Sequence, residues 1–396
     1  MTRAVAVIDG EHYAPVVRDA LGELPYEFVA AVLVGGTEKL RGDDDYGLPV
    51  SHDFQRALAE HDPDVVVDLS GEPVVDPAAR LMLASLALAR GIPYAGSDFR
   101  FEPPAFEPFA VPSLAVIGTG KRVGKTAVTG HVARLLSQDR SVVVVAMGRG
   151  GPPDPEVIES PPTVDDLIAL SRAGRHAASD YLETAALTGV PTIGCRRCGS
   201  GMAGAPFTSN VVAGAELAAA RGPDLVVFDG SGAAIPPIET GSRILVAHDV
   251  RSGLNPYRVL ISDLVLTMDE QVAREAAELG DAPVLRFDMR LRPSKLLEGR
   301  RTAVFTTGGT AVDHLDAEIV HVSPNLARRD VLRRELERVD AEVYLVELKA
   351  AAIDVVAEAA FERGADLVFA ENEVACDGLD EELRALADAV PELAPQ

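Results

Sequence analysis

Residues 113–137, SLAVIGTGKRVGKTAVTGHVARLLS, leave this chain few ways to fold. The apolar run from Leu114 to Ile117 reads as a buried parallel strand, and an apolar-periodic helix begins near Lys125. A glycine-rich loop joins the two. In that order, backbone N–H groups of the loop and of the helix start converge on one spot and favour an anion there. The phosphate-binding pattern G-x-x-x-x-G-K-[ST] is met at Gly124, Lys125 and Thr126. It departs at its first position, where Thr119 stands between Gly118 and Gly120. In this reading Lys125 reaches the β- and γ-phosphates and the Thr126 hydroxyl faces Mg²⁺. Gly120, Arg122, Val123 and Gly124 line the nucleotide's phosphates, and Lys121 adds a second ammonium.

Composition sharpens the reading. The chain has five lysines against thirty-two arginines, and two of the five, Lys121 and Lys125, lie in this loop. A compact ammonium fits a tight anion nest where a planar guanidinium does not. The net charge of −24 argues against general binding of nucleic acid or anionic membranes. No apolar run is long enough to span a bilayer, and MTRAVAVIDG lacks the features of a secretory signal. Three cysteines, Cys195, Cys198 and Cys376, make no disulfide framework, so the cytoplasm is the expected compartment.

At 396 residues two or three domains are expected. Residues 1–105 alternate strand-like and helix-like segments, as in a Rossmann-like α/β domain. Residues 96–112 carry four prolines and read as a linker. A P-loop core over 106–294 follows, and a smaller α/β domain occupies 295–396, ending in a tail, PELAPQ, expected to be disordered. The fold class is therefore α/β: a P-loop NTPase core with a mostly parallel sheet, flanked by these two domains.

Other groups carry candidate chemistry. Asp229 ends the apolar stretch DLVVFD, where P-loop proteins hold Mg²⁺, and Glu239 is a weaker candidate nearby. Arg149 in MGRGGPP and Arg196 and Arg197 in GCRRCGSG put guanidiniums on glycine-rich loops. Such groups hold phosphate oxygens bidentately, which points to a second anion besides the nucleotide. Cys195 and Cys198 form a C-x-x-C without two further ligands, since His176 and His248 are not at ligand spacing, so a loop-shaping role is expected. His12, in DGEHY after the first strand, is a candidate ligand contact.

Two families resemble the chain. The loop GTGKRVGKT, the segment DGSGAA and SGLNPY at 252–257 are similar to dethiobiotin synthetases over about 110–290; the likeness of SGLNPY to that family's Gly-x-x-Asn segment implies nucleotide contact by Asn255. The chain also resembles cyclic 2,3-diphosphoglycerate synthetases over nearly its full length, through DGEHY, IGTGKRVGKT, MGRGGPP with Glu159 following, and GCRRCGSGMAG. That resemblance implies ATP-dependent closure of 2,3-diphosphoglycerate into a cyclic phosphoanhydride. Lys125, Lys121 and Arg149 are then the expected catalytic residues. His12, Arg149, Arg196 and Arg197 would bind substrate, and Thr126, Asp229 and Glu159 the Mg²⁺. A homodimer acting on a small molecule is expected. The alternatives are a dethiobiotin-synthetase-like ligase for another acid, and a regulatory GTPase or metallochaperone. Against the latter, TMDE at 267–270 lacks the Asn and Lys of a guanine-reading segment.

Overall fold

The computed structural model describes residues 1–42, 45–173, 179–348 and 352–390. His176 and the tail 391–396 lie outside the described residues. The structure is α/β, built on three sheets.

The first sheet comprises Thr2–Ile8 (β1), Tyr26–Leu33 (β2), Val50–Ser51 (β3), Val65–Asp68 (β4), Tyr94–Ala95 (β5) and Arg100–Phe101 (β6). Its order is β3-β2-β1-β4-β5-β6, with only β6 antiparallel. Helices Ala14–Glu23 (α1), Phe54–His61 (α2) and Pro77–Leu88 (α3) connect the strands. Asp53 and Asp76 cap α2 and α3 by accepting from Arg56 N and Ala79 N, which satisfies donors that a helix start leaves open.

The second sheet holds Ser113–Gly118 (β7), Val142–Gly148 (β8), Glu156–Ile158 (β9), Thr192–Cys198 (β10), Thr208–Ser209 (β11), Leu225–Asp229 (β12), Ser242–Ala247 (β13), Leu264–Thr267 (β14) and Val284–Arg286 (β15). Its order is β11-β10-β8-β12-β7-β13-β14-β15, with β9 antiparallel against β10. The helices are Lys125–Leu136 (α4), Val164–Arg172 (α5), Asp180–Thr188 (α6), Val211–Ala219 (α7), Asn255–Leu260 (α8) and Glu270–Leu279 (α9). β7 lies between β12 and β13, parallel to both, so it is buried on both faces. Pleating sends Leu114 and Val116 into one core and Ala115 and Ile117 into another. This is why the strand reads as an unbroken apolar run.

The third sheet is Asp288–Pro293 (β16), Arg301–Phe305 (β17), Glu318–Ser323 (β18), Val343–Glu347 (β19) and Asp366–Ala375 (β20), in the order β16-β20-β19-β17-β18. It opens at Asp288, upstream of the boundary expected at 294/295. Arg329–Leu336 (α10), Glu358–Arg363 (α11) and Leu379–Ala389 (α12) cover it, and a π-helical turn, Ala352–Ala357, leads into α11.

The three sheets share cores. Val5 and Val7 of β1 belong to one hydrophobic cluster with Ala115, Ile117 and Phe228 of the central sheet. Phe305 and Tyr344 belong to another with Leu114, Val128 and Val132. Ion pairs join α4 and the turn after it to the C-terminal segment: His131 with Asp380, Arg134 with Glu371, Arg140 with Asp388 and Arg384 with Asp139. The stretch 96–112 is not a loose linker. Phe101 pairs back onto Tyr94, and Phe109 is buried edge-on to Phe228 with ring centroids 5.3 Å apart. Its prolines break helix and strand; its phenylalanines anchor it.

Candidate active site

The phosphate loop leaves β7 at Gly118 and enters α4 at Lys125. Two positive-φ residues shape it: Arg122 at φ 62° and Gly124 at φ 95°. A side chain at Gly124 would also be crowded, because a Cβ there would lie 3.1 Å from Phe287 Cζ. Gly124→Ala is therefore expected to strain the loop by about 1–2 kcal/mol. Nucleotide affinity should fall roughly tenfold, read by calorimetry with a nonhydrolysable ATP analogue.

The departure at Thr119 has a local cause. Its Oγ1 is hydrogen-bonded to His248 Nδ1 at 2.9 Å and accepts from the His248 backbone N–H at 3.2 Å. This ties the loop entry to the end of β13. The close approach falls instead at Gly118, where a Cβ would meet Gly232 O at 3.1 Å.

Register places Asp229, the last residue of β12, beside Val116 of β7. Its carboxylate is fully buried. Oδ1 accepts from Lys125 Nζ and, at 3.0 Å, from Thr129 Oγ1. Oδ2 is buried with no partner among the described residues. Burial pushes the Asp229 carboxyl above its usual range, and Lys125 and Thr129 oppose that shift. An unpaired buried carboxylate oxygen at the foot of a phosphate loop fits a hard dication.

Above the loop lies a cleft of about 780 Å³. Lys121, Arg122, Lys125 and Thr126 line one wall, Arg149, Ser231 and Gly232 a second, and residues of the third sheet and its loops face them. There the loop 306–311, TTGGTA, faces the phosphate loop. Glu347 holds it, accepting from Thr307 N at 2.8 Å and Thr307 Oγ1 at 2.9 Å, while Asn372 Nδ2 donates to its other oxygen at 2.9 Å. Sequence reading missed this wall; a Thr- and Gly-rich stretch after an apolar strand was its one signal. Asp180, the first residue of α6, was missed as well. It lines the cleft, and its charge raises the Asp229 carboxyl further. Met268, just after β14, and Met289, near the start of β16, border the cleft.

Several candidates lie elsewhere. Arg149 and Arg197 converge, since a Cβ on Gly232 would sit 3.6 Å from Arg197 Nη2, 3.7 Å from Lys121 Cγ and 3.9 Å from Arg149 Nη2. Arg196, the neighbour of Arg197 on β10, is exposed and lines no part of the cleft. Strand alternation sends the two guanidiniums to opposite faces. His12 stays in the first domain, hydrogen-bonded to Asp9 Oδ1 at 2.8 Å. Asn255 does not line the cleft but a neighbouring pocket, where its Nδ2 donates to Asp249 O at 3.1 Å. Glu159, expected at the Mg²⁺, lies away from the cleft: antiparallel pairing carries β9 away from the carboxyl end of β10, and Glu159 pairs with Arg221. Glu239 is exposed, with its backbone bound to Glu107 O. Cys195 is buried against Gly214, and Cys198 is exposed.

Three family models match successive parts of the chain. They describe the N-terminal domain (residues 3–102), the P-loop domain (113–280) and the C-terminal domain (293–373) of cyclic 2,3-diphosphoglycerate synthetase. The chain belongs to the cyclic 2,3-diphosphoglycerate synthetase family. A synthetase of that name from Rubrobacter xylanophilus is 46% identical, over 98% of this chain and 97% of the relative. One from Thermococcus kodakarensis is 40% identical over 95% and 96%, and one from Methanothermus fervidus 38% over 93% and 92%. In this member of the family the P-loop is intact at Gly124, Lys125 and Thr126. Among the described residues no helix is long and apolar enough to cross a membrane.

Proposed function

We propose that this chain catalyses ATP-dependent closure of 2,3-diphosphoglycerate to its cyclic phosphoanhydride, releasing ADP and phosphate. The observation that carries the reading is one cleft in which a phosphate loop faces Arg149, which has no ion-pair partner among the described residues. The nucleotide's phosphates lie on the loop amides and Lys125. The acid lies on the side of Arg149, Lys121 and Arg197.

One phosphate oxygen of the acid attacks the γ-phosphorus of ATP, and ADP leaves. An oxygen of the acid's other phosphate then attacks the phosphorus of the phosphate so activated. Inorganic phosphate departs and the ring closes. No side-chain nucleophile is needed, because phosphate oxygens are already ionised. Catalysis rests on holding the groups in line and neutralising their charge. Thr126 and Asp229, with Asp180 nearby, fit Mg²⁺, which when bound supplies further neutralisation of the phosphate oxygens. Among the described residues no three acidic, His or Cys side chains cluster as a metal cage. This suits an ion held by one or two carboxylates together with nucleotide phosphates and water. The expected homodimer and cytoplasmic location belong to the same proposal, and light scattering gives the former directly.

The test is phosphorus NMR of the protein with Mg-ATP and 2,3-diphosphoglycerate. Anhydride resonances should grow in step with ADP and inorganic phosphate. ATP hydrolysis that proceeds equally without the acid overturns the reading.

A further inference from the structure

Beside the P-loop cleft lies a second pocket of about 310 Å³, which shares Arg149 with it and is also lined by Arg197 and Arg258. The loops after β10 and β12 and the segment before α8 build it, and Arg258 ties them together. Its Nε and Nη2 donate to Ala233 O at 3.1 and 2.6 Å, and its Nη1 to Met202 O and Leu254 O at 3.1 Å each. Arg197 donates from Nη1 to Gly199 O at 2.8 Å and from Nη2 to Ser231 O at 2.7 Å. All of these acceptors are neutral carbonyls. Carbonyl dipoles satisfy the geometry of a guanidinium but leave its charge uncompensated.

Arg197 and Arg258 are 6% and 2% exposed, and Arg197 Nε is buried without a partner among the described residues. Among the described residues no carboxylate forms an ion pair with Arg149, Arg197 or Arg258. Burial lowers both guanidiniums, Arg258 to about 10, and the nearby charge of Arg149 lowers Arg197 further while Asp180 offsets part of it. A loop clamp alone accounts for the bonds of Arg258. It accounts neither for the unpartnered Nε of Arg197 nor for a third cation at the same mouth. In a chain of net charge −24, three such cations together mark a place for an anion.

We propose that this pocket seats the second phosphate of the acid on Arg149 and Arg197, with Arg258 as a positioning residue, while the first phosphate is activated in the cleft. The proposal rests on the bisphosphorylated-acid reading above. Arg149, common to both pockets, keeps the waiting phosphate next to the activated one, so the same pocket selects bisphosphorylated over monophosphorylated acids.

Calorimetry with 2,3-diphosphoglycerate, 3-phosphoglycerate and a nonhydrolysable ATP analogue tests this on wild type, Arg197→Met, Arg258→Lys and Ser200→Asp. Ser200 lies exposed at the mouth, so its variant adds repulsion without touching the clamp. Affinity for the bisphosphate should fall about 10–100-fold in Arg197→Met and Ser200→Asp. Affinities for the monophosphate and the ATP analogue should stay within about threefold. Arg258→Lys keeps the charge but cannot bridge the loops, and should lose part of the preference. Parallel loss of both acids, or no loss of either, overturns the seat. If anhydride forms while the preference ignores these residues, the seat is wrong and the reaction stands. If the preference follows them and no anhydride forms, the seat stands and the reaction is wrong.

Discussion

Lys125→Ala is expected to lower the turnover number by roughly 10²–10³-fold, the scale of losing one preorganised charge at a transition state. The ammonium is placed at the junction of the phosphate loop and Asp229, and no other lysine among the described residues is buried there. Nucleotide affinity should drop less than turnover, because loop amides and Arg122 still hold the phosphates. Removing Lys125 leaves the buried Asp229 with Thr129 alone, so thermal melting is measured alongside the rate of ADP release. Adding Asp229→Asn to Lys125→Ala removes the stranded charge and should restore the melting midpoint without restoring turnover. A folded Lys125→Ala protein that retains its rate within about threefold would sink the catalytic role given to this loop.

Asp229→Asn should weaken the apparent Mg²⁺ affinity roughly tenfold or more, since a neutral amide is a poor ligand for a hard dication. Titrating Mg²⁺ against rate measures it, and an unchanged midpoint removes Asp229 from the metal site. The same variant tests the electrostatics. The folded-state pKa of Asp229 is raised above 3.8, mainly by burial. A carboxyl raised in this way favours the fold while protonated, and that contribution is lost as pH rises through the folded pKa. At neutral pH the ionised group opposes folding, and asparagine mimics the protonated form. Asp229→Asn should therefore melt at or above the wild-type midpoint near neutral pH, with the difference shrinking towards about pH 4. A lower midpoint near neutral pH would show that the Lys125 pair outweighs the burial cost.

The α/β class was legible because buried parallel strands such as β7 and β12 are continuous apolar runs and their helices are periodic. The order strand, Gly-loop, helix was legible for the same reason, and so was the acid ending β12. What was hidden depends on contacts distant in sequence. Loop 306–311 faces the phosphate loop only because the third sheet packs against α4. Asp180 reads as an ordinary residue of a helix's first turn. Arg196 and Arg197 are indistinguishable as a dipeptide, and only the pleat of β10 buries one and exposes the other. Glu159 follows a basic glycine loop in sequence, yet antiparallel β9 carries it to the far end of the sheet.

The third sheet and the phosphate-loop core are fused through one hydrophobic interior, with α4 braced against the C-terminal segment by ion pairs along its flank. Two lobes joined by a flexible hinge breathe at little cost, and their active site acquires its shape on closing. A slot cut into a single packed body cannot widen without disrupting side chains on both sides of it. The gap between Lys125 and the Glu347-anchored loop is thus a dimension of the native state. Adjustment falls to the short loop 306–311 and to the ligands themselves, so the enzyme measures its substrates against a gauge of nearly constant opening.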